Sequence, residues 1–489
     1  MKCFINSIPG RVVTWGVVFL ASLTALAHQI PVHTAHEMDV DEGINLMKAH
    51  LVTRDFGLFD TIWSDQPPLF TVLLSGWFQI AGESVASGRV LVMISSACLL
   101  ASLFSILSLT RRLFAGSIAV AFLFLSSIFV KYSGAVMIGI PAISFAVFAM
   151  LLLQWAGTSR SLFYASGFFF ACAIMTKLFV LAIAPSFLTL FLFNEWQSER
   201  FPLAARQALI RFAHWTLVIA GFVIALAMLF GPALLHGEIS QLIHSHASEK
   251  ARSELGGIAR LWKLLRADRD LLPLAAIGIL LGLYGRRYDF LVPLVWFGSA
   301  LSALSLHRPL WPHHYPLVSL PLVWLSAIAV DEVVRRPLPK SWNFVTSVRA
   351  LSLAFFVYSI SLVPSKWVRI RERVYDFNNR VSENSLAHLA KHANQTRWVV
   401  SDRPIYPFML HLSVPPEIAV PSAKRKHSGE LSASLYLAVI ERYQPEQIIM
   451  KRFRDIARAI HDTVQDRYHT VQYDGRTLIM LRKDLFYLP

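Results

Sequence analysis

The sequence predicts a polytopic α-helical membrane protein with about eleven transmembrane helices. Juxtamembrane helices lie in its first outer loop, and an α/β domain follows the last span outside the membrane. Three observations predict this. Of the 489 residues, 55% are hydrophobic and only 16% charged, with a mean hydropathy of +0.50, whereas a soluble chain carries roughly a quarter charged residues. Apolar runs such as Val12–Ile30, Leu91–Thr110 and Leu113–Val130 recur, each long enough to cross a bilayer. After Pro364 the pattern changes to short β-type runs alternating with helical ones.

The net charge of +15 raises nucleic-acid binding, but the basic residues cluster at the ends of apolar runs, where they anchor topology. No nucleic acid is expected as a partner. Cys3, Cys98 and Cys172 give neither a disulfide framework nor zinc spacing. Met1–Ala27 has features of a signal peptide, but with many spans following, an uncleaved first helix is the better reading.

Basic clusters at Lys2/Arg11, Arg111/Arg112, Arg160, Arg200/Arg206/Arg211, Arg286/Arg287 and Arg335/Arg336/Lys340 mark cytoplasmic ends. The first helix then exits near Ile30, and the loop containing "DVDEG" (Asp39–Gly43) lies outside. Between that loop and Arg111 the chain must cross an odd number of times. Val90–Thr110 is long enough to span. Pro67–Gly82, about 16 residues with two leading prolines, is short for a span and reads as a juxtamembrane or re-entrant helix. Spans follow at Leu113–Val130 and Gly134–Gln154, then a hairpin of shorter helices around Lys177, then Thr216–Phe230. The loop Gly231–Asp270 falls outside, its basic residues tolerated because long loops follow the charge rule poorly. Leu271–Tyr284, Phe290–Leu306, Tyr315–Val330 and Val345–Val363 return the chain to the side of "DVDEG". The division is a transmembrane domain, 1–364, and an extracytoplasmic α/β domain, 365–489. In the latter, "RWVVSD" and "EQIIMKR" read as buried strands, Leu431–Arg442 and Phe453–Val464 as helices, and "YHTVQYDGRTLIMLRK" as a hairpin around Asp474-Gly475.

The acidic stretch "HEMDVDEGINLMKAH" (His36–His50) carries the main site candidate. Ile44, Met47 and Leu51 have helical spacing, so Glu42–Val52 reads as a short helix on the membrane surface. Asp39 suits its N-cap, with Glu42 three residues on as in a capping box. Glu37 reads as solvated. Asp41 has no structural task on this pattern, which leaves it as a candidate general base at the membrane boundary.

The order of motifs adds to this. An apolar first helix, then "DEG", "WSDQPPL" (Trp63–Leu69), "RRLF", "TKLFVLAIAP" (Thr176–Pro185), "HHYPLVSLPL" (His313–Leu322) and "PPEIAVPSAKRKHSGELS" (Pro415–Ser432) resembles the GT-C polyprenyl-phosphate-sugar-dependent glycosyltransferases. The branch is that of the bacterial aminoarabinose transferase and protein O-mannosyltransferase-like enzymes. The resemblance implies transfer of one sugar, with inversion, from a polyprenyl-phosphate donor to a lipid, glycan or protein acceptor on the outer face of the plasma (inner) membrane. It places the catalytic carboxylate pair on Asp41 and Glu42. A lipid phosphate leaves readily, so the protein must deprotonate the acceptor and hold the phosphate's charge. Lys131, Lys177, Arg308, His313 and His314 fall at outward ends of spans and are candidates for the second task. For the basic residues among them, snorkelling to the interface is the ordinary alternative, and for the histidines an interfacial belt.

The sequence departs from the pattern at two places. Gln66 stands where some relatives have a lysine before Pro-Pro, and Ile140 stands before Pro141 where many have an aspartate. Asp65 is a partial substitute for that second carboxylate. His244 and His246, in the long outer loop, lie in the vicinity of donor or acceptor but lack a matching carboxylate for a metal. "DVD" mimics the Asp-x-Asp of nucleotide-sugar enzymes, and a divalent metal stays open. "SAKRKHSG" (Ser422–Gly429) is a candidate acceptor-side contact. A flippase for lipid-linked saccharides would instead need ionisable residues near mid-membrane, where acids are scarce here. A relative that has lost activity is the third alternative.

Overall fold

The computed structural model describes residues 8–32, 36–109, 113–157, 159–196, 201–232, 241, 257–335, 344–376 and 380–486. His244, His246 and the basic residues Lys2, Arg111, Arg112, Arg200, Arg336 and Lys340 lie outside them. In chain order the helices before the sheet are α1 (Ile8–Gln29), α2 (Val40–Val52), α3 (Leu69–Ala81), α4 (Val85–Leu109), α5 (Leu113–Phe124), α6 (Ser127–Tyr132), α7 (Gly139–Ala156) and α8 (Arg160–Thr176). A 3-10 segment (Leu178–Ile183) leads into α9 (Ala184–Trp196), then α10 (Phe201–Phe230), α11 (Ile258–Leu265), α12 (Leu271–Tyr284), α13 (Leu291–Leu306), α14 (Pro316–Arg335), α15 (Phe344–Ser361), α16 (Val363–Val374) and α17 (Glu383–Lys391). Beyond them come β1 (Val399–Ser401), α18 (Ile405–Met409), α19 (Ala423–His427), α20 (Ala433–Tyr443), β2 (Gln447–Met450), α21 (Arg454–Val464), β3 (Tyr468–Tyr473) and β4 (Leu478–Arg482).

Among the described residues, eight helices are long and apolar enough to span a membrane. They are α1, α4, α7, α10, α14, α15, the continuous Leu178–Trp196 and Tyr288–Leu306; α3, α5, α8 and α12 are shorter apolar helices. The chain is therefore a multi-pass membrane protein. At the centre, α14 is buried from Pro316 to Glu332 and packs on α12, α13, α15 and α5. That uniform burial is how a helix apolar all round is accommodated.

Two expected spans come out differently. Leu113–Val130 is not one helix: it breaks after Phe124 and restarts as α6. Ser126, at the break, donates from Oγ to Asp268 Oδ2 at 2.7 Å, a long-range bond that local pattern cannot reveal. The helix α10 is longer than Thr216–Phe230, beginning at Phe201, and Arg211 within it pairs with Glu195 of α9.

The C-terminal sheet has the order β1-β2-β4-β3, with β1 and β2 parallel and the other pairs antiparallel. The β3–β4 turn is held by Asp474, whose Oδ1 accepts the amides of Arg476 (2.8 Å) and Thr477 (2.7 Å). Gly475 beside it has φ +74°, a conformation glycine adopts at no steric cost.

The hydrophobic interior has two main parts. One fills the helical bundle. The other unites α2 and α3 (Leu46, Met47, Phe70, Leu74) with the sheet and its helices (Val400, Tyr406, Ile448, Met480). The first loop and the C-terminal region thus share one core and lie on the same side of the membrane. It follows that α2 is not a half-exposed surface helix. Every residue from Glu42 to Leu51 is buried, because α3 and α18 pack on it.

Candidate active site

The acids of the first loop have separate tasks. Asp39 is the N-cap of α2: its Oδ1 accepts the Asp41 amide at 3.1 Å, and its Oδ2 accepts the Tyr132 hydroxyl at 3.0 Å. Glu37 is not solvated but 1% exposed, paired with Arg403 from the C-terminal region. The long chain path between these residues hid this pair from any local reading. Glu42 is turned into the protein. Its carboxylate is clamped by Arg89 Nε and NH2, both at 2.9 Å, and accepts the amides of Met38 (2.9 Å) and Val136 (3.2 Å). Arg89 further donates to the carbonyls of Pro31 (2.9 Å) and His36. Both side chains are fully buried.

Asp41 is the exception. Its carboxyl makes no hydrogen bond or ion pair among the described residues, and it remains half-buried. Burial, and then the charge of Asp39, push it from an ordinary 3.8 up to about 7, with Arg452 and Lys177 pulling down and Asp65 pushing up. Such a carboxyl is poised for proton transfer near neutrality. The last residue of "DEG" also has a purpose. A Cβ on Gly43 would stand 2.7 Å from the Ile405 amide nitrogen and 3.0 Å from Glu37 Oε1, so glycine lets α18 lie directly on α2.

Lys177 sits in the extended link between α8 and the 3-10 segment, buried, with its ammonium 4.9 Å over the Phe179 ring. Burial lowers it to about 8 against the pull of Asp41, Asp65 and Asp39. Lys48, about two turns beyond Asp41 on α2, is buried too, and burial lowers it against Asp65 and Asp41. Asp65 faces Lys424 at 4.0 Å. Close by, Trp63 carries the Arg425 guanidinium 4.4 Å above its ring. The "SAKRKHSG" segment is therefore packed against "WSDQPP". The backbone of Gln66 bonds within its own segment, its N–H donating to Ser64 Oγ at 3.3 Å and its carbonyl accepting from that hydroxyl at 3.0 Å.

His313 is buried and held well below its ordinary value by burial and then by the charges of Lys177 and His307. It joins Asp39 and Asp41: one ligand atom from each lies within 4.8 Å of the others. This set could hold a divalent cation, although the nearby Lys177 charge opposes one. His314 is occupied structurally, its Nδ1 accepting the Trp311 amide at 3.1 Å. Lys131 lies on the Asp39 side, over the Tyr132 ring at 5.7 Å, and is lowered by burial. Arg308 precedes Pro309, and its guanidinium lies beside Gly257 at the start of α11.

Arg89, Tyr132 and Lys48 escaped sequence reasoning. For Arg89 a signal existed: a lone arginine at the head of the apolar run "SGRVLVMISS" calls for a buried partner.

The fold that carries this site is the GT-C glycosyltransferase fold. ArnT from Cupriavidus metallidurans in the apo state has it with a TM-score of 0.65 at 14% identity, covering 98% of this chain and 99% of that one. The same enzyme bound to undecaprenyl phosphate gives 0.58 at 14%, covering 97% and 98%. The apo oligosaccharyltransferase from Archaeoglobus fulgidus gives 0.53 at 12%, covering 91% and 71%. Within that fold, residues 65–225 match the family described as dolichyl-phosphate-mannose-protein mannosyltransferase. No curated protein matches by sequence.

Proposed function

We propose that the protein transfers a sugar from a polyprenyl-phosphate carrier to an acceptor at the outer face of the plasma membrane. One observation carries this reading: in a GT-C fold, Asp41 is the acid of the stretch His36–His50 without a structural partner among the described residues, while Glu37, Asp39 and Glu42 are all engaged. The similarity to a structure bound to undecaprenyl phosphate supports a carrier of that class.

The acceptor hydroxyl oxygen attacks the anomeric carbon as the bond from that carbon to the phosphate oxygen breaks. Asp41 takes the hydroxyl proton. The electron pair leaves with the phosphate, whose charge Lys177 stabilises. Direct displacement inverts the anomeric centre. Glu42 supports the base without touching substrate: through Arg89 it fixes the loop that presents Asp41. His313, neutral beside Asp41, and Lys131 border the same site.

Mass spectrometry of surface glycoconjugates from cells with and without the protein tests the reading. A sugar increment that disappears on deletion and returns with the wild-type chain is expected. Identical glycoconjugates in both would overturn it.

A further inference from the structure

Three lysine ammonium groups near Asp65 make no hydrogen bond among the described residues. Lys48 and Lys177 are buried and make neither a hydrogen bond nor an ion pair among the described residues. Lys424 Nζ is buried with no hydrogen-bond partner; at 4.0 Å, Asp65 Oδ2 is beyond hydrogen-bond reach. All three lysines interact with the charge of Asp65, Lys48 and Lys177 also with that of Asp41, and Lys424 also with those of Lys177 and Glu430. Burial brings Lys424 down to about 8. An ammonium taken out of water without hydrogen bonds is costly unless an anion completes it.

The position of Lys424 is built. Ser422 caps α19, its Oγ accepting the Arg425 amide at 3.1 Å. Arg425 then grips Trp63 from above and donates through NH1 to the Glu417 carbonyl at 2.7 Å. This clamp sets Lys424 against Asp65 while its neighbour Lys426 turns away to Asp455 and the Phe453 ring.

We infer that Lys424, carried by the C-terminal region, joins Lys177 and Lys48 in one site for a phosphoryl group, so that the donor site is complete only with that region in place. The inference rests on the glycosyltransferase reading for the identity of the phosphoryl group, which is a lipid headgroup or a free phosphate.

The test is binding of farnesyl phosphate and of inorganic phosphate to the full-length protein in nanodiscs. Wild type is compared with Lys424→Ala, Lys424→Met, Lys424→Arg and the control Lys426→Ala. Loss of one charge-assisted contact should weaken farnesyl phosphate about tenfold in the Ala and Met variants. Lys424→Arg, which keeps the charge, should retain most of the affinity, and Lys426→Ala all of it. Parallel weakening of inorganic phosphate assigns the site to the phosphoryl group itself; weakening of farnesyl phosphate alone assigns it to the lipid-linked headgroup. Unchanged farnesyl phosphate affinity in Lys424→Ala and Lys424→Met overturns the inference and leaves the glycosyltransferase reading intact. Absence of binding by the wild type overturns both.

Discussion

Glu42→Gln removes one charge from a fully buried pair and leaves Arg89 with its full charge at 0% exposure. The glutamine keeps the shape but replaces one acceptor oxygen with a donor. Glu42 now accepts from Arg89 Nε, Arg89 NH2, Met38 and Val136, so at least one of these donors is left facing an NH2 group. Breaking one side of such a pair costs about 3–5 kcal/mol. With an unfolding entropy near 2.1 cal/mol/K per residue, the whole chain gives about 1 kcal/mol/K, so the apparent Tm should fall by roughly 3–5 °C. Thermal unfolding in detergent reads this directly. Because Arg89 also holds the Pro31 and His36 carbonyls, transfer activity should fall further than the Tm alone explains. The double variant Glu42→Leu/Arg89→Leu removes the unpaired charge but leaves the Met38 and Val136 amides and the Pro31 and His36 carbonyls without these partners, so it should recover only part of the Tm while transfer stays low. Wild-type Tm and transfer in Glu42→Gln would refute the reasoning.

Three further outcomes follow from the same geometry. Transfer should have a bell-shaped pH profile: it rises through about 7 as Asp41 loses its proton and falls above about 8 as Lys177 loses its own; a flat profile from pH 6 to 9 would contradict these roles. The stability linkage of Asp41 has the opposite sense: its pKa is raised on folding, so its contribution is full below about 3.8 and is lost as pH rises through about 7. Gly43→Ala should push α18 off α2, because the added methyl meets backbone at Ile405; faster proteolysis in the C-terminal region and weaker transfer are expected, and wild-type behaviour in both would disprove the close packing.

Much of the architecture is written in local pattern. Apolar runs gave the helices, the Asp474-Gly475 turn gave the β3–β4 hairpin, and the N-cap role of Asp39 followed from its place before α2. Local pattern assigned Asp41 no structural task, and among the described residues its carboxyl has no hydrogen-bond or ion-pair partner. What stayed hidden depends on contacts between distant segments. Glu37 looks solvated until Arg403 is brought to it, α2 looks amphipathic until α18 covers its second face, and the apolar run after Leu113 looks continuous until Ser126 turns to Asp268. Gln66 and Lys424 make the same point. The segment "WSDQPP" has no cation of its own beside Asp65, and one arrives from α19, which no spacing within the segment could announce.

The most direct measurement is sugar transfer by purified Asp41→Asn in nanodiscs, supplied with a polyprenyl-phosphate-linked sugar and an extract of envelope acceptors. The substitution removes the base and leaves the neighbouring bonds of Asp39 and Glu42 in place, so the Tm should be retained while transfer drops by about 10²-fold or more. Donor binding should persist through Lys177. Full transfer by Asp41→Asn would contradict the account.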